Sequence, residues 1–499
     1  MNRITWWLVG FHVWCGGAAL AADGPRVAQS QFADMETRWK EATSTLDVPG
    51  VSIVAVKGDD VILLDGWGVA DPRTGKTVDP DTMFYIASCT KPYTATGIAI
   101  LQDEGKLQFE DPVKKHMPRF ELSDAELAKR VTIADLASHR YGINNAAIVF
   151  NDAFSGEITE ELYYRLLPKA NIANRVAYSN VHFTLLGRVI ESASGKSWRD
   201  FLEEKLFLPA GMTRTTGYAS RMYGDSNTAA PLVRQKGEWV ISPVIKSDKT
   251  MHAAGGMGTT ARDLGQWMRL NLNGGKVDGK QIVSERAMKS LHQRQSDAPP
   301  RGKLLKLDGF GLAWMLGNYR DRPMIAHGGG YLAAAAYITM LPEEKVGVAV
   351  LVNSSVPGAG IIEVMTSDVL DRLLHIPAEK DPLPSAGKKA KQLIAARKER
   401  ESTATAVTAE RLVLPITSYA GTYRDADWGT ITLTIQEGRL QGQAGDFPLL
   451  LHSRGTDEVE ARAYPGDEGH HGAFEVIDAQ VAAFRFSPTG DETVRFVRE

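Results

Sequence analysis

The chain has 499 residues, 43% hydrophobic and 23% charged, a balance that excludes a disordered or fibrous protein and suffices for two or more cores. A formal net charge of −3 leaves no electrostatic footprint for nucleic acid, and no such partner is expected.

Residues 1–21 read as a secretory leader. Arg3 supplies the positive end, residues 4–14 the apolar core, and Ala19-Leu20-Ala21 the small-residue cleavage site. The apolar run is too short and glycine-interrupted for a membrane span, Cys15 lacks the leucine of a lipobox, and no later segment is long, apolar and uncharged. The expected location is periplasmic or secreted, with no transmembrane segment after cleavage. Cleavage after Ala21 leaves Cys89 as the sole cysteine, so stability has to come from the core and not from a disulfide.

Residues 49–67 predict a hairpin, with apolar 51–56, a Lys57-Gly58-Asp59-Asp60 turn, and 61–64 leading into Gly66-Trp67-Gly68. Residues 70–77 imitate a phosphate loop but place Ala70 where its first glycine belongs, and read as a turn between strands. A β-prone run, 83–86, then gives way to a helix ending at Gly105. Ser88 and Lys91 fall three apart in its first turn, facing the same way, and Pro92 fits there because first-turn amides have no helical partner to lose. A serine with free backbone N–H groups and an amine beside it has the parts of a nucleophile site. Cys89 lies two residues from Lys91, off that face, and reads as a small buried residue.

Further on, 157–167 and 181–193 are helical, the latter preceded by Val176-Ala177-Tyr178-Ser179-Asn180. Thr260-Ala261-Arg262-Asp263 has the pattern of a capping box opening a helix to Leu272. Ile325-Ala326-His327-Gly328-Gly329-Gly330 leads into apolar strands at 337–341 and 346–353, and 361–374 is a closing helix. Early strands, middle helices and returning strands predict an α/β (α+β) domain, one sheet closed by both ends of the domain with helices packed on it. Residues 377–411 read as a polar linker with a basic, solvated helix at 388–400. Short strands at 429–435, 439–443 and 481–486 place a small all-β domain at 412–499. His470-His471 read as solvent-exposed in a Gly/Asp-rich turn, and no metal site or cofactor is expected.

S-x-x-K alone is common by chance. Here S-C-T-K at 88–91 is followed in order by Y-S-N at 178–180 and H-G-G at 327–329. With W-G-V-A-D at 67–71, S-H-x-x-G at 138–142 and A-G-G-M-G-T-T-A-R-D-L at 254–264, the chain resembles the serine β-lactamase-like hydrolases: class C β-lactamases, S12 peptidases and class VIII esterases. The resemblance covers roughly residues 30–376, and the tail, from Y-A-G-T-Y-R at 419–424, resembles the lipocalin-like β-domain of some members. The implied boundaries are leader 1–21, hydrolase 22–376, linker 377–411 and β-domain 412–499.

The resemblance implies acylation of Ser88, with Lys91 or Tyr178 taking its proton; the choice stays open, since the three act as one coupled unit. Asn180 would bond Lys91 or the substrate, His327, Gly329 and Gly330 would line the binding strand, and the oxyanion hole would use the N–H groups of Ser88 and Gly330. His327 stands where β-lactamases carry the lysine of K-T-G, and a neutral imidazole suits a β-lactam carboxylate less well than an ammonium. Arg140-Tyr141 replace the usual Thr-Ser, and the common Pro-Gly before Y-x-N is missing; both are expected to reshape the pocket mouth. The implied activity is ester or amide hydrolysis on a small-molecule or D-amino-acid peptide substrate. The alternatives are a β-lactamase or acyl-transferring enzyme, and a penicillin-recognising protein without turnover. The β-domain is expected beside the active-site mouth, restricting substrate size.

Overall fold

The computed structural model describes residues 27–28, 32–302, 304–354, 358–377, 381–464, 466–490 and 492–499. The leader expected at 1–21 lies outside them. The elements that position the site are α1 (Met35–Thr45), β1 (Gly50–Lys57), β2 (Asp60–Asp71), α2 (Lys91–Asp103), α3 (Asn180–Ser194) and α4 (Ala261–Leu272). They are followed by β3 (Ser296–Arg301), β4 (Leu305–Phe310), β5 (Met315–Tyr319), β6 (Arg322–Tyr331), β7 (Ala334–Leu341), β8 (Val346–Val352), α5 (Gly358–Leu373) and α6 (Leu383–Thr403).

The strands form one antiparallel sheet in the order β2-β1-β8-β7-β6-β5-β4-β3, with Val27–Ala28 added outside β2. Its two ends meet where β1 pairs β8, from Val51 opposite Val352 to Lys57 opposite Val346. These central strands read as unbroken apolar runs because both faces are covered. Val51, Ile53 and Ala55 face Trp39 of α1 and Val369 of α5, while Val54 and Val56 face Ile98 of α2 and Leu264 and Trp267 of α4. Helix α2 is buried from Lys91 to Leu101, as a helix apolar all round must be. Its Tyr93 ring stacks on Trp267 with centroids 3.9 Å apart, which ties the start of α2 to α4. Removing an aromatic ring of this kind from a core costs about 3–5 kcal/mol.

The tail is a closed barrel of eight antiparallel strands, β9 (Gly421–Asp425) through β16 (Val494–Arg498), sealed by pairing of β9 with β16. Closure leaves no sheet edge, and Tyr419, Tyr423, Phe474, Phe484 and Phe496 fill its interior.

Four local expectations change. Ser88 stands in a separate 3₁₀ turn, Ala87–Thr90, and α2 starts only at Lys91, because Ala87 takes a left-handed φ of 45° that breaks continuity with the preceding strand. Thr260 caps α4 by accepting the Asp263 amide, but the Asp263 carboxylate turns away to the Arg214 amide and the Thr215 hydroxyl, so half of the capping box forms. The basic helix is longer and less solvated than expected: α6 buries Gly387 and Ala390, and Arg462 of the barrel donates to the Arg400 carbonyl. His470 is half-buried on a barrel strand, His470–Ile477, bonded to the Ser487 carbonyl, and only His471 is exposed.

Candidate active site

The short strand Phe84–Tyr85 pairs with Gly258–Thr259, and the chain then turns through Ala87. A non-glycine residue at positive φ is strain of the sort that persists at functional sites when the surroundings over-determine it. In a 3₁₀ turn, side chains three apart eclipse one another, which sets Lys91 over Ser88. The Lys91 Nζ lies 2.9 Å from Ser88 Oγ, 2.8 Å from Asn180 Oδ1 and 2.6 Å from the Ala254 carbonyl. It is fully buried and has no ion pair among the described residues. Two effects favour the ammonium: these acceptors, and the faces of Tyr178 and Phe183 at 4.7 and 5.6 Å. Burial opposes them and is the larger effect, holding the amine well below the ordinary lysine value. A neutral amine donating to Ala254 and Asn180 keeps a lone pair for the Ser88 proton.

Tyr178 and Asn180 reach this cluster from the N-terminus of α3. Ser179 caps the helix by accepting the Val181 amide, which leaves Tyr178 just outside it and Asn180 as its first residue. Tyr178 is 38% exposed as a residue, yet burial raises its phenol above the ordinary range, and a hydrogen bond with Ser88 works the other way.

The third segment is β6. It pairs β5 only from Arg322 to Ala326, so residues 327–331 have β7 on one side and a free edge on the other. Gly329 is required by close approach: a Cβ there would sit 2.0 Å from the Ile86 carbonyl oxygen, just before the Ser88 turn. The His327 ring is buried. Its Nδ1 donates to the Gly328 carbonyl at 2.8 Å, which leaves Nε2 as a bare acceptor without a partner among the described residues. Burial is the main cause that lowers its pKa to about 3, so the ring is neutral over the ordinary range. Gly330 is exposed, open space lying where its Cβ would be. A cavity of about 640 Å³ lies against Gly328, Gly329 and Gly330, walled by Leu304, Leu305, Leu307, Tyr337 and Ile362, and Ser88, Lys91, Tyr178 and Asn180 do not line it.

All seven residues singled out from sequence therefore fall on three segments that meet at the Ser88 turn. Cys89 is turned away, its Sγ 3.2 Å from the His327 carbonyl, with burial raising its thiol pKa. Arg140 and Tyr141 pair with Asp135, Gln295 and Arg130 along the surface. The sequence did not disclose the Ala254 carbonyl as a lysine acceptor, since a backbone atom leaves no signature. It placed the barrel beside the mouth but named none of the residues of the wall built jointly with it. Phe447 of the barrel meets Phe154 edge-on at 5.6 Å, and Phe154 lies 5.5 Å from Tyr331, the residue after Gly330. Polar contacts flank this wall: Asn151 Nδ2 donates to the Asp427 carbonyl at 2.9 Å, and Ser247 Oγ to Asp446 at 2.5 Å.

Comparison with known proteins gives a consistent picture. The family model described as Beta-lactamase matches residues 35–363. Penicillin-binding protein 4 of Amycolatopsis lactamdurans is 26% identical over 337 residues, 64% of this chain and 85% of that protein. Protein flp of Staphylococcus aureus is 26% identical over 319 residues, 61% of this chain and 60% of that protein. Among solved structures, the octameric penicillin-binding protein homologue from Pyrococcus abyssi aligns with a TM-score of 0.59 at 22% identity, covering 93% of this chain and 99% of that one. The class C beta lactamase from Rhodobacter sphaeroides aligns with a TM-score of 0.52 at 19% identity, covering 68% of this chain and 98% of that one. At these identities the structural matches speak for the fold alone.

Proposed function

The chain belongs to the Beta-lactamase family of serine hydrolases, and we propose that it cleaves ester or amide bonds, D-amino-acid peptides included, through an acyl-Ser88 intermediate. The observation that carries this reading is the buried Lys91 amine 2.9 Å from Ser88 Oγ with only neutral acceptors around it. A serine hydroxyl needs a base in contact to attack a carbonyl, and a lysine serves once burial has depressed its pKa. Ser88 Oγ attacks the substrate carbonyl as its proton passes to Lys91 or, through the phenol, to Tyr178. The N–H groups of Ser88 and Gly330 receive the oxyanion, each such donor typically contributing about 3 kcal/mol. The proton then returns to the leaving group, and water releases the acyl chain by the same route in reverse. Asn180 holds the Lys91 amine, and the free edge at 327–331 takes the substrate backbone.

Ester and peptide substrates are favoured over β-lactams because His327, neutral and buried, supplies no fixed cation for a β-lactam carboxylate. The barrel is proposed to limit substrate size through the Phe447–Phe154–Tyr331 wall without adding catalytic groups. Residues 22–376 would be the catalytic unit, joined through 377–411 to a barrel unit at 412–499. No helix among the described residues is long and apolar enough to cross a membrane, and export to the periplasm or medium is proposed from the leader-like residues 1–21.

The test is intact-mass labelling with a fluorophosphonate, followed by a panel of p-nitrophenyl esters, D-amino-acid amides and nitrocefin. One adduct on the Ser88 peptide, abolished in Ser88→Ala, is the expected result. Labelling that survives Ser88→Ala, or moves to Cys89, rejects the nucleophile. A nitrocefin kcat/KM at or above that of the best ester rejects the substrate preference.

A further inference from the structure

The S-H-x-x-G segment at 138–142 plays no part in the chemistry above, yet its histidine is built into the site. His139 is 1% exposed and takes a left-handed φ of 56°, an uncommon conformation for a non-glycine residue that is held here by constraint. The constraint is visible on both sides of Tyr178. The Ala177 amide donates to the His139 carbonyl at 3.1 Å, and the Ser179 amide donates to the His139 ring at Nδ1, 3.2 Å away. The ring itself lies against the Tyr178 ring with centroids 4.6 Å apart, backed by Phe310 at 5.1 Å and Phe183 at 5.4 Å.

We propose that His139 is the positioning residue for Tyr178, holding the amides on either side of it and fixing its ring beside the Lys91–Ser88 pair. The hydrogen-bond chain dictates the state of the imidazole. A backbone N–H only donates, so Nδ1 of His139 is an acceptor. Because Nδ1 of His139 already accepts the Ser179 amide, the 2.9 Å contact between it and Nδ1 of His182 takes its proton from His182, whose Nε2 shares the Ile143 amide with the Tyr141 carbonyl. Nδ1 of His139 thus receives two donors, and the proton of the neutral ring is on Nε2, which is buried without a partner among the described residues. A protonated ring would set an N–H against both donors. Burial is the largest effect against the cation, and His182, Lys91, His327 and Arg301 act in the same direction. The anchor is a fixed acceptor, not a proton carrier. It holds Tyr178 in a loop that lacks the rigid Pro-Gly expected before it, where an error of about 1 Å can cost on the order of a hundredfold in rate.

This inference rests on the reading that Ser88, Lys91 and Tyr178 act as one unit. The experiment compares His139→Gly with His139→Asn. Both residues accept positive φ, but only asparagine places an oxygen where Nδ1 stands. His139→Gly is expected to lower the fluorophosphonate labelling rate of Ser88 and the ester kcat by about a hundredfold with KM little changed, and His139→Asn to recover most of that. Equal rates for wild type and His139→Gly, or an asparagine variant no better than glycine, overturn the proposal. Should the glycine variant fail to fold, ¹⁵N-histidine NMR of the wild type decides. An unprotonated Nδ1 and protonated Nε2 on His139 from pH 5 to 9 supports the anchor, and a titrating ring or a protonated Nδ1 overturns it. Wild-type protein that takes no label at Ser88 would defeat the proposed function and leave the NMR signature of the anchor intact.

Discussion

Among the described residues two lysines are buried, and only one touches the hydroxyl proposed as the nucleophile. Lys91 contacts Ser88 Oγ, Asn180 Oδ1 and the Ala254 carbonyl beneath the rings of Tyr178 and Phe183. Lys246 is 4% exposed, donates to the Ala153 and Thr250 carbonyls, and lies over the rings of Tyr331, Phe154 and Tyr85 at 4.0, 5.5 and 5.7 Å. Burial depresses both amines, Lys246 to about 7, with Asp152 opposing. Their surroundings are alike down to carbonyl acceptors and aromatic faces. The difference is the hydroxyl: Lys91 lies against Ser88 Oγ, the proposed nucleophile, whereas Lys246 joins the loop at 250 to the segment that carries Phe154. A depressed pKa marks burial, and only the neighbour decides whether it is useful.

The largest effect that breaks or sharpens this contrast is loss of each amine. Lys91→Met should slow Ser88 labelling and ester turnover by about 10²–10⁴-fold or more, the usual contribution of a positioned base. Lys246→Met should stay within about tenfold of wild type, because no hydroxyl depends on it. Equal losses in single-turnover assays would mean that Lys246 also serves the reaction.

A smaller effect is expected where the Lys246 region meets the barrel. Phe447→Ala removes the barrel's part of the wall behind Phe154 and Tyr331. The kcat/KM ratio for a bulky peptide over a small ester should rise several-fold, on the scale of one pocket contact of about 1 kcal/mol. An unchanged ratio would remove the barrel from substrate selection. Truncation after Ile376 is a coarser version of this test, since it also strips α6 from α5.

The smallest effect concerns stability. Lys246 has a folded pKa of about 7 against 10.5 for an exposed lysine, so the folded state binds the proton less readily than the unfolded chain. The resulting penalty is complete below about pH 7 and fades as the pH rises toward 10.5. The Tm of Lys246→Met relative to wild type should therefore be more favourable at pH 6.5 than at pH 9.5, by a few degrees. A difference independent of pH in calorimetric scans would mean that the lysine keeps an ordinary pKa.

Legibility in the sequence followed the range of the interaction. The hairpin at 49–67, the closing strand ending at Val352 and the helix after Asn180 were readable because apolar periodicity and caps act within a few residues. Ser88, Lys91, Tyr178, Asn180 and His327 stood out only together, and the fold brings their three segments to one place. The 3₁₀ turn at Ser88 was not readable, since it follows from the strain at Ala87 and the press of Gly329 on Ile86. The buried face of α6 was hidden by its basic composition: Gly387 and Ala390 are small enough to pack on a helix without looking apolar.

By itself the sequence determined the residue types and their order: a serine and lysine one turn apart, a tyrosine and asparagine ahead of a helix, and a glycine-rich strand after a histidine. It also determined which strands would be buried, through unbroken β-branched runs. Tertiary structure alone decided the states of those groups. Lys91 loses its charge preference because α2 is covered on every side, and His327 stays neutral because its ring is sealed from solvent. His139 becomes an acceptor because two donors converge on one nitrogen. Protonation is set by solvent exclusion and by partners brought from distant parts of the chain, and neither is a local property of sequence.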